Sequence, residues 1–181
     1  MTSRHLELAP FDLNNFDTLA SWITDERAQA VWSASTFPYP LSREDLEDHL
    51  TLCRSDGPHR ELLMAVEPDS GKMVGVFSLK RVDSLGRTGH LSMIMVSPDV
   101  RGKGVGAAMV KAALKRGFDI KGYRRMQLYV FDFNTAAKTC YTACGLINEG
   151  PGNVPMNYKG ETWIVEVMGV SRNQVKGDRT P

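Results

Sequence analysis

The sequence has few cysteines, and their number and spacing argue against two kinds of site. Its 181 residues contain three cysteines, Cys53, Cys140 and Cys144. An odd and sparse set is not typical of a disulfide framework. Cys140 and Cys144 lie four residues apart on a predicted helix, but no cluster of His, Asp or Glu lies near them to complete a tetrahedral metal site. We therefore expect no metal, and we expect Cys140 and Cys144 to be small buried residues.

Long apolar runs and charge of one sign are also missing. No segment approaches the roughly 18 apolar residues that identify a membrane-spanning helix, and MTSRHLELAPFDLNNFD has no cleavage-site pattern. The net charge is +1, without the long stripe of Lys and Arg that nucleic-acid-binding proteins carry. We therefore expect a cytoplasmic protein that binds neither membranes nor nucleic acid.

Length and composition indicate one folded domain. Hydrophobic residues make up 42% of the chain and charged residues 24%, which is typical of a globular protein. A chain of 181 residues suffices for one core and is short for two. Because SRNQVKGDRTP is polar, the sequence predicts a domain over residues 1–170 and a flexible polar tail over residues 171–181.

Strand and helix patterns alternate along the chain. The spacing of apolar residues predicts strands over 5–10, 61–67, 72–82, 90–96, 126–131 and 161–170. It predicts helices over 12–27, from Ser42, from the glycine-rich segment to about 117, and over 134–144. Ser42 and Asp45 have the spacing of a capping box, and Gly145 that of a left-handed helix cap.

An apolar segment with two prolines, AVWSASTFPYPLS, separates the first two predicted helices. Pro38 and Pro40 prevent a continuous helix. Trp32, Phe37 and Tyr39 are too apolar for a loop without a function, and we interpret them as one wall of a partly apolar substrate pocket.

The segment SPDVRGKGVGAAMVKAAL contains three glycines at alternate positions, Gly102, Gly104 and Gly106. Glycines let the chain turn tightly and let a ligand approach the backbone, and the following helix presents its amides and positive dipole end. Phosphate is the natural ligand of such a site. A P-loop requires Gly, four residues and then Gly-Lys-Ser/Thr, which this segment lacks.

Three interpretations of the glycines remain. One is a site for the pyrophosphate of a carrier other than a dinucleotide, the second is a dinucleotide site, and the third is a turn without a ligand. GKGVGA approximates the dinucleotide-binding pattern G-x-G-x-x-A, and Asp132 ends the next strand, where a ribose-binding acid is expected. Only 75 residues follow Gly106, which is too few for the rest of a long parallel sheet, so a dehydrogenase is disfavoured. A glycine-rich turn before a helix also occurs without any ligand.

The same segment resembles the acyl-CoA signature of the GNAT superfamily of N-acetyltransferases, Arg/Gln-x-x-Gly-x-Gly/Ala. Arg101, Gly104 and Gly106 occupy its three defining positions. The resemblance implies a single GNAT-like α/β domain, with a mixed, mostly antiparallel central sheet flanked by helices. Around Trp22, FDTLASWITDE is faintly similar to the branch that includes ribosomal-protein N-terminal acetyltransferases.

A second segment, NTAAKTCYTACGL, is similar to the family element Asn-x-x-Ala-x-x-x-Tyr-x-x-x-Gly-Phe. It follows the first segment in the order and at the spacing that the family shows. Leu146 replaces the usual aromatic residue, and the matching positions are Asn134, Ala137, Tyr141 and Gly145.

The resemblance implies acetyl-CoA as cosubstrate and a role for each matching residue. The backbone of Arg101, Gly102, Lys103, Gly104, Val105 and Gly106 would hold the pyrophosphate, and the Arg101 and Lys103 side chains would add positive charge. Backbone groups at Ile94 and Val96 would pair with the pantetheine, and an amide near Ile94 would stabilise the oxyanion. Asn134 is expected to contact the cofactor and to cap its helix.

Acetyl transfer to an amine requires an acid and a base. In the family, the residue at the position that Tyr141 occupies here is the acid that protonates the leaving thiolate. We expect Asn134, Lys138 and Tyr141 to form one polar stripe over the cofactor, with Ala136, Cys140, Ala143 and Cys144 facing the core. His90 lies where some members carry a base, and it acts either directly or through a water; an exposed and inert His90 is the alternative.

The sequence leaves the acceptor and the oligomeric state open. We expect a primary amine to attack the thioester of acetyl-CoA directly in a ternary complex. This amine belongs to a small molecule, a peptide N-terminus or a lysine. The closing strand and the apolar segment are compatible with a homodimer. A non-catalytic acyl-CoA-binding sensor is the alternative to an enzyme, and the presence of Tyr141 together with His90 favours catalysis.

Overall fold

The computed structural model describes residues 5–176. In this part of the chain the strands are β1 (Glu7–Pro10), β2 (Arg60–Val66), β3 (Met73–Arg81), β4 (Thr88–Val96), β5 (Arg125–Phe131), β6 (Ile147–Pro151), β7 (Met156–Tyr158), β8 (Glu161–Trp163) and β9 (Val165–Ser171). The α-helices are α1 (Phe16–Ser21), α2 (Glu26–Ser33), α3 (Arg43–Ser55), α4 (Val105–Lys115), α5 (Thr135–Ala143) and α6 (Arg172–Lys176).

The strands confirm the mixed, mostly antiparallel α/β fold. Seven of the strands form one sheet in the order β1-β2-β3-β4-β5-β9-β6, while β7 and β8 form a separate two-stranded sheet. The pairs β1-β2, β2-β3, β5-β9 and β6-β9 are antiparallel. Strand β4 pairs with β5 in parallel.

The first of two compact units contains residues 5–80 and the segment Ser92–Met109. It holds β1, β2, β3 up to Lys80, α1 to α3, the second half of β4 and the start of α4. Its core is a cluster of apolar side chains from these elements, including Leu19, Trp22, Leu46, Leu62 and Val76. Burial of such side chains supplies most of the stability of a domain of this size.

The second unit contains Arg81–Leu91 and residues 110–176. All seven residues of β5 pair with β9, and the inward side chains of the two strands, such as Leu128 and Met168, are almost fully buried. Gly89 of β4 is required by packing, because a Cβ there would clash with the ring of Tyr123 and the sulfur of Met126.

The prediction of one continuous helix over residues 12–27 is wrong. Helix α1 ends at Ser21, and α2 begins at Glu26. Between them the Asp25 side chain accepts a hydrogen bond from the Ala28 amide at 2.8 Å, and this bond lowers the pKa of the Asp25 carboxyl. Asp favours this capping geometry over the interior of a helix, so the apolar spacing alone did not reveal the break.

The end of the chain also differs from the expected pattern. The strand predicted over residues 161–170 is divided into β8 and β9, and β6 and β7 have no counterpart in the sequence prediction. Of the predicted tail, Ser171 belongs to β9 and Arg172–Lys176 forms α6, whereas residues 177–181 lie outside the described range.

The capping box at the start of α3 is confirmed. The Asp45 amide donates to the Ser42 hydroxyl at 3.1 Å, and the Ser42 amide donates to the Asp45 carboxylate at 3.2 Å.

We predict that Ser42→Ala lowers the free energy of unfolding by about 1 kcal/mol, because a helix amide loses its acceptor. Urea denaturation measures the change. Ser55→Ala, at the exposed end of α3, is the control, and equal midpoints for the two variants would contradict the prediction.

Candidate active site

The glycine-rich loop, residues 101–106, lies in the first unit and joins a short 3-10 turn (Pro98–Val100) to α4. Gly102 and Gly104 have φ angles of +74° and +79°, in the left-handed region that favours glycine. The Gly104 carbonyl accepts a hydrogen bond from the Ala108 amide at 3.0 Å, so Gly104 stands at the N-cap of the helix. The loop therefore leads directly into the positive end of a helix dipole.

Two cationic side chains accompany this loop. Arg101 Nε donates to the Val96 carbonyl at 3.2 Å, and Lys103 Nζ donates to the Asp99 carbonyl at 2.8 Å. Residues 101–104 are exposed. Positive side chains, a helix N-terminus and left-handed glycines together form an arrangement suited to an anion such as phosphate. The role of these residues in holding a pyrophosphate stays a prediction.

Strand β4 changes its geometry at Met93, just before Ile94 and Val96, the backbone positions that the family resemblance assigns to the pantetheine. The parallel pairing with β5 runs from Thr88 to Leu91 and ends there. Met93 has a φ of +51°, which is unfavourable for a residue other than glycine, and its carbonyl accepts a hydrogen bond from Trp32 Nε1 at 2.8 Å. The half-buried Ile94 and Val96 follow this irregularity.

The three aromatic residues predicted to line a pocket do not share one environment. Trp32 and Phe37 are buried in the core of the first unit, where their rings stack with centroids 5.8 Å apart. Tyr39 is 47% exposed. The Trp32 indole orients the backbone of β4 through Met93, and the predicted contact of these residues with a substrate stays a prediction.

Helix α5, in the second unit, begins as predicted but presents a different face to the core. The Asn134 side chain accepts from the Ala137 amide at 3.3 Å and caps the helix. Tyr141 and Cys144 are buried, whereas Ala136 and Ala143 are exposed. The expected polar stripe is therefore wrong: Tyr141 lies on the buried side of the helix.

Tyr141 is 8% exposed, and this burial raises the pKa of its hydroxyl above the ordinary value. Negative charge on the sulfur of the neighbouring Cys140 acts in the same direction. A raised pKa keeps the phenol protonated over the whole physiological range, as a proton donor requires.

The cysteines beside Tyr141 interact with each other. All three cysteines are free, Cys144 is buried and Cys140 is half-buried. A hydrogen bond from Cys144 lowers the pKa of Cys140 to about 7, and the same bond raises the pKa of Cys144. The expectation of two small buried residues therefore holds for Cys144 and only partly for Cys140.

Lys138 has a protein partner in the second unit. Its Nζ lies 3.2 Å from Glu166 Oε2 on β9, and that carboxylate also accepts from the Asn148 side chain at 2.9 Å. Both members of the ion pair are only about a quarter exposed. Lys138 thus ties α5 to β9, and its expected contact with the cofactor stays a prediction.

His90 is buried, so the structure does not match the alternative of an exposed and inert histidine. It lies in β4 opposite Gln127 of β5 and is 5% exposed. Its ring meets the edge of the Tyr129 ring, with centroids 4.5 Å apart. Tyr129 is itself 56% exposed.

The predicted residues fall into two groups, one in each unit. The first unit brings together residues from α2, β4 and the glycine-rich loop, and the second contains His90, Asn134, Lys138 and Tyr141. Over residues 5–176, no group of three His, Cys, Asp or Glu side chains is placed to hold a metal ion. In the same range no helix is long and apolar enough to cross a membrane.

Comparison with known families and proteins gives consistent matches. A sequence model of the Acetyltransferase (GNAT) family matches residues 23–146. A mycothiol acetyltransferase of Salinispora tropica is 35% identical over 85 residues, which are 46% of this chain and 27% of that protein. A spermidine N(1)-acetyltransferase of Vibrio cholerae is 26% identical over 113 residues, which are 62% of this chain and 63% of that protein. The chain thus covers less than two thirds of either relative.

Solved structures share the fold over nearly the whole chain. Spermidine N-acetyltransferase from Vibrio cholerae in complex with CoA and spermine has a TM-score of 0.78 at 19% identity, covering 93% of this chain and 96% of that one. A probable acetyltransferase has a TM-score of 0.77 at 16% identity, covering 93% and 94%. At such identities the similarity establishes the fold.

Proposed function

Because the chain belongs to the acetyltransferase (GNAT) family, we propose that it transfers the acetyl group of acetyl-CoA to a primary amine by direct attack in a ternary complex. The observation that carries this proposal is the glycine-rich loop, where left-handed Gly102 and Gly104 lead into the N-terminus of α4. The fold and the second motif, around Tyr141, support the same reaction.

Acetyl-CoA supplies an activated thioester, and the first unit would bind it. Amides of residues 101–106 and the α4 dipole would hold the pyrophosphate, with Arg101 and Lys103 adding positive charge. Beyond Met93, the backbone of Ile94 and Val96 would pair with the pantetheine. An amide near Ile94 would stabilise negative charge on the thioester oxygen as the amine attacks. Trp32 maintains this part of β4 through its bond to the Met93 carbonyl.

Tyr141 would donate its hydroxyl proton to the departing thiolate. Burial raises its pKa, so the hydroxyl carries its proton at physiological pH and would release it only as negative charge develops on the sulfur. Asn134 caps the helix that carries Tyr141, and Lys138 holds that helix to β9. Both residues would position the acid. The family position of Asn134 also favours contact with the cofactor, and Lys138, one turn further along α5, would contact it as well.

His90 would accept a proton from the attacking ammonium, directly or through a water. We predict that His90→Gln lowers kcat/KM and removes the acidic limb of its pH profile, because that limb reports deprotonation of the base. Initial rates from pH 5.5 to 9 measure the effect, with His59→Gln as the control. An unchanged pH profile in His90→Gln would exclude His90 as the base.

A small molecule is the acceptor that we favour. The two curated relatives are named for small molecules, mycothiol and spermidine, and both names denote acetyltransferases. A partly apolar acceptor contacting Tyr39 fits the exposure of that ring. A peptide N-terminus remains the second acceptor class, and competition between spermidine and an N-terminal peptide for acetylation separates the two.

The ternary-complex route is tested by initial-rate kinetics with both substrates varied. Direct transfer gives reciprocal plots that intersect, whereas an acetyl-cysteine intermediate gives parallel lines. Cys140→Ser is the matched variant, since Cys140 has the lowered pKa. Intersecting lines and a turnover largely retained in Cys140→Ser are expected. Parallel lines, with loss of activity in Cys140→Ser, would contradict direct attack.

The extent of the domain and its assembly belong to the same proposal. We expect residues 1–170 to form the acetyl-CoA-binding domain, and the chain to work in the cytoplasm. Residues 171–181 would be its polar C-terminal segment, which starts with the last residue of β9 and α6. The proposed assembly is a homodimer, which light scattering tests. A monomer mass at working concentration would remove the dimer from the proposal without affecting the reaction.

A further inference from the structure

Three basic side chains of the first unit, His49, Arg60 and Lys80, form a cluster outside the residues assigned to acetyl transfer, here named the β2–β3 cation cluster. Arg60 is the first residue of β2, and it pairs in the antiparallel register with Lys80 near the end of β3. Side chains at such directly opposite positions are neighbours, and like charges there repel each other.

His49, on α3, forms the inner end of the cluster. It is 7% exposed, and its buried Nε2 has no hydrogen-bond partner. Its ring meets the Phe37 ring edge to face, with centroids 5.5 Å apart. Burial, and then the charges of Arg60 and Lys80, lower the pKa of His49. A buried polar atom without a partner is costly, which makes it a marker of a missing ligand.

The positive charge of the cluster is not balanced. Asp56 pairs with Arg60 at 3.1 Å, but no carboxylate forms an ion pair with Lys80 among the residues that the structure describes. The pKa of the half-buried Lys80 is lowered by burial and by Arg60. Arg54 and Cys53 on α3 are further titratable groups near Arg60, and neither adds negative charge in its ordinary state.

We propose that the β2–β3 cation cluster binds a small oxyanion of the phosphate class. Lys80 and the guanidinium edge of Arg60 that Asp56 leaves free would donate charge-assisted hydrogen bonds, and His49 Nε2 would supply a third donor.

The register places this site at the Arg60↔Lys80 end of the β2–β3 pair, whereas Val66↔Met73 marks the other end. Six residue steps at 3.3 Å separate these ends by about 20 Å. The glycine-rich loop is connected to the far end, where the Ser97 amide donates to the Val74 carbonyl.

The proposal does not depend on acetyl transfer, and NMR tests it locally. Inorganic phosphate is titrated into the protein at constant ionic strength while the His49 ring resonances, assigned with His49→Gln, are followed. We expect a saturable shift of those resonances, and a dissociation constant at least about tenfold weaker in Lys80→Gln, because a charge-assisted hydrogen bond is lost. Lys80→Arg should retain binding. Lys115→Gln, which removes an exposed charge from α4, should bind phosphate as the unmodified protein does.

Several outcomes would overturn the oxyanion site. One is a His49 resonance that does not respond to phosphate. Another is an equal affinity in Lys80→Gln and the unmodified protein, because phosphate would then be bound elsewhere, at the glycine-rich loop for example. Lys80→Gln is expected to fold, since the substitution relieves a cross-strand repulsion. Repeating the titration with a phosphate monoester distinguishes the sources: tighter binding of the monoester indicates an organic phosphate, and equal or weaker binding indicates the free ion.

Discussion

Replacing Tyr141 with Phe is expected to lower kcat by roughly 100- to 10,000-fold, the usual contribution of a general acid, and to leave acetyl-CoA affinity nearly unchanged. The substitution removes only the hydroxyl, so the ring continues to fill its buried position beside Cys144 in α5. Without that proton donor, the thiolate must leave unprotonated or wait for a proton from water. Steady-state rates and calorimetric titration with acetyl-CoA measure the two quantities separately.

The pH dependence follows from the raised pKa of Tyr141. A phenol whose pKa is raised stays protonated to a higher pH than an exposed tyrosine, so the acid is not lost below about pH 10. Any decline of activity between pH 8 and 10 should therefore persist in Tyr141→Phe. Tyr123→Phe, at a buried tyrosine outside α5, is the matched control and should retain turnover. Equal turnover in Tyr141→Phe and the unmodified protein would remove Tyr141 from the acid role.

Replacing Gly104 with Val is expected to weaken acetyl-CoA binding by at least tenfold, because a left-handed conformation costs a non-glycine residue about 1–3 kcal/mol. At a φ of +79° a β-branched residue is strained even though a Cβ added at this position would meet no other atom within 4 Å. The loop would relax to a negative φ and turn its amides away from the phosphates. Calorimetric titration gives the dissociation constant.

A second glycine separates backbone strain from loss of the binding site. Gly122 also has a positive φ, +74°, and no atom within 4 Å of an added Cβ, but it follows α4 in the sequence and is not part of the loop. Gly122→Val should therefore cost similar stability while it leaves acetyl-CoA binding intact. If Gly104→Val bound acetyl-CoA as tightly as Gly122→Val does, residues 101–106 would not form the pyrophosphate site.

Features determined by local chemistry were predictable from the sequence. The Ser42 capping box depends on residues three positions apart, and the left-handed Gly145 depends on one position, so both patterns are visible in the chain itself. The loop at Gly102 and Gly104 is local in the same sense. The family followed from the resemblance of two motifs, and the positions of β1 to β5 along the chain followed from the alternation of apolar residues.

Features determined by tertiary contacts were not predictable. The buried face of α5 was misassigned because Ala136 and Ala143 are small enough to be exposed at little cost, while the large ring of Tyr141 gains more from burial. The irregularity at Met93 depends on a hydrogen bond from Trp32, 61 positions away. The pairing of Lys138 with Glu166 likewise joins distant parts of the sequence, and no helical spacing signals it.

Release of free thiol from acetyl-CoA in the presence of amines tests the proposed reaction most directly. The panel contains spermidine, amino acids, aminoglycosides and N-terminal peptides, and the acetylated product is identified by mass spectrometry. We predict thiol release with at least one amine class, in equal amount to the acetylated amine, and its loss in Tyr141→Phe. Saturable binding of acetyl-CoA without thiol release from any amine would contradict catalysis and favour a protein that senses acyl-CoA.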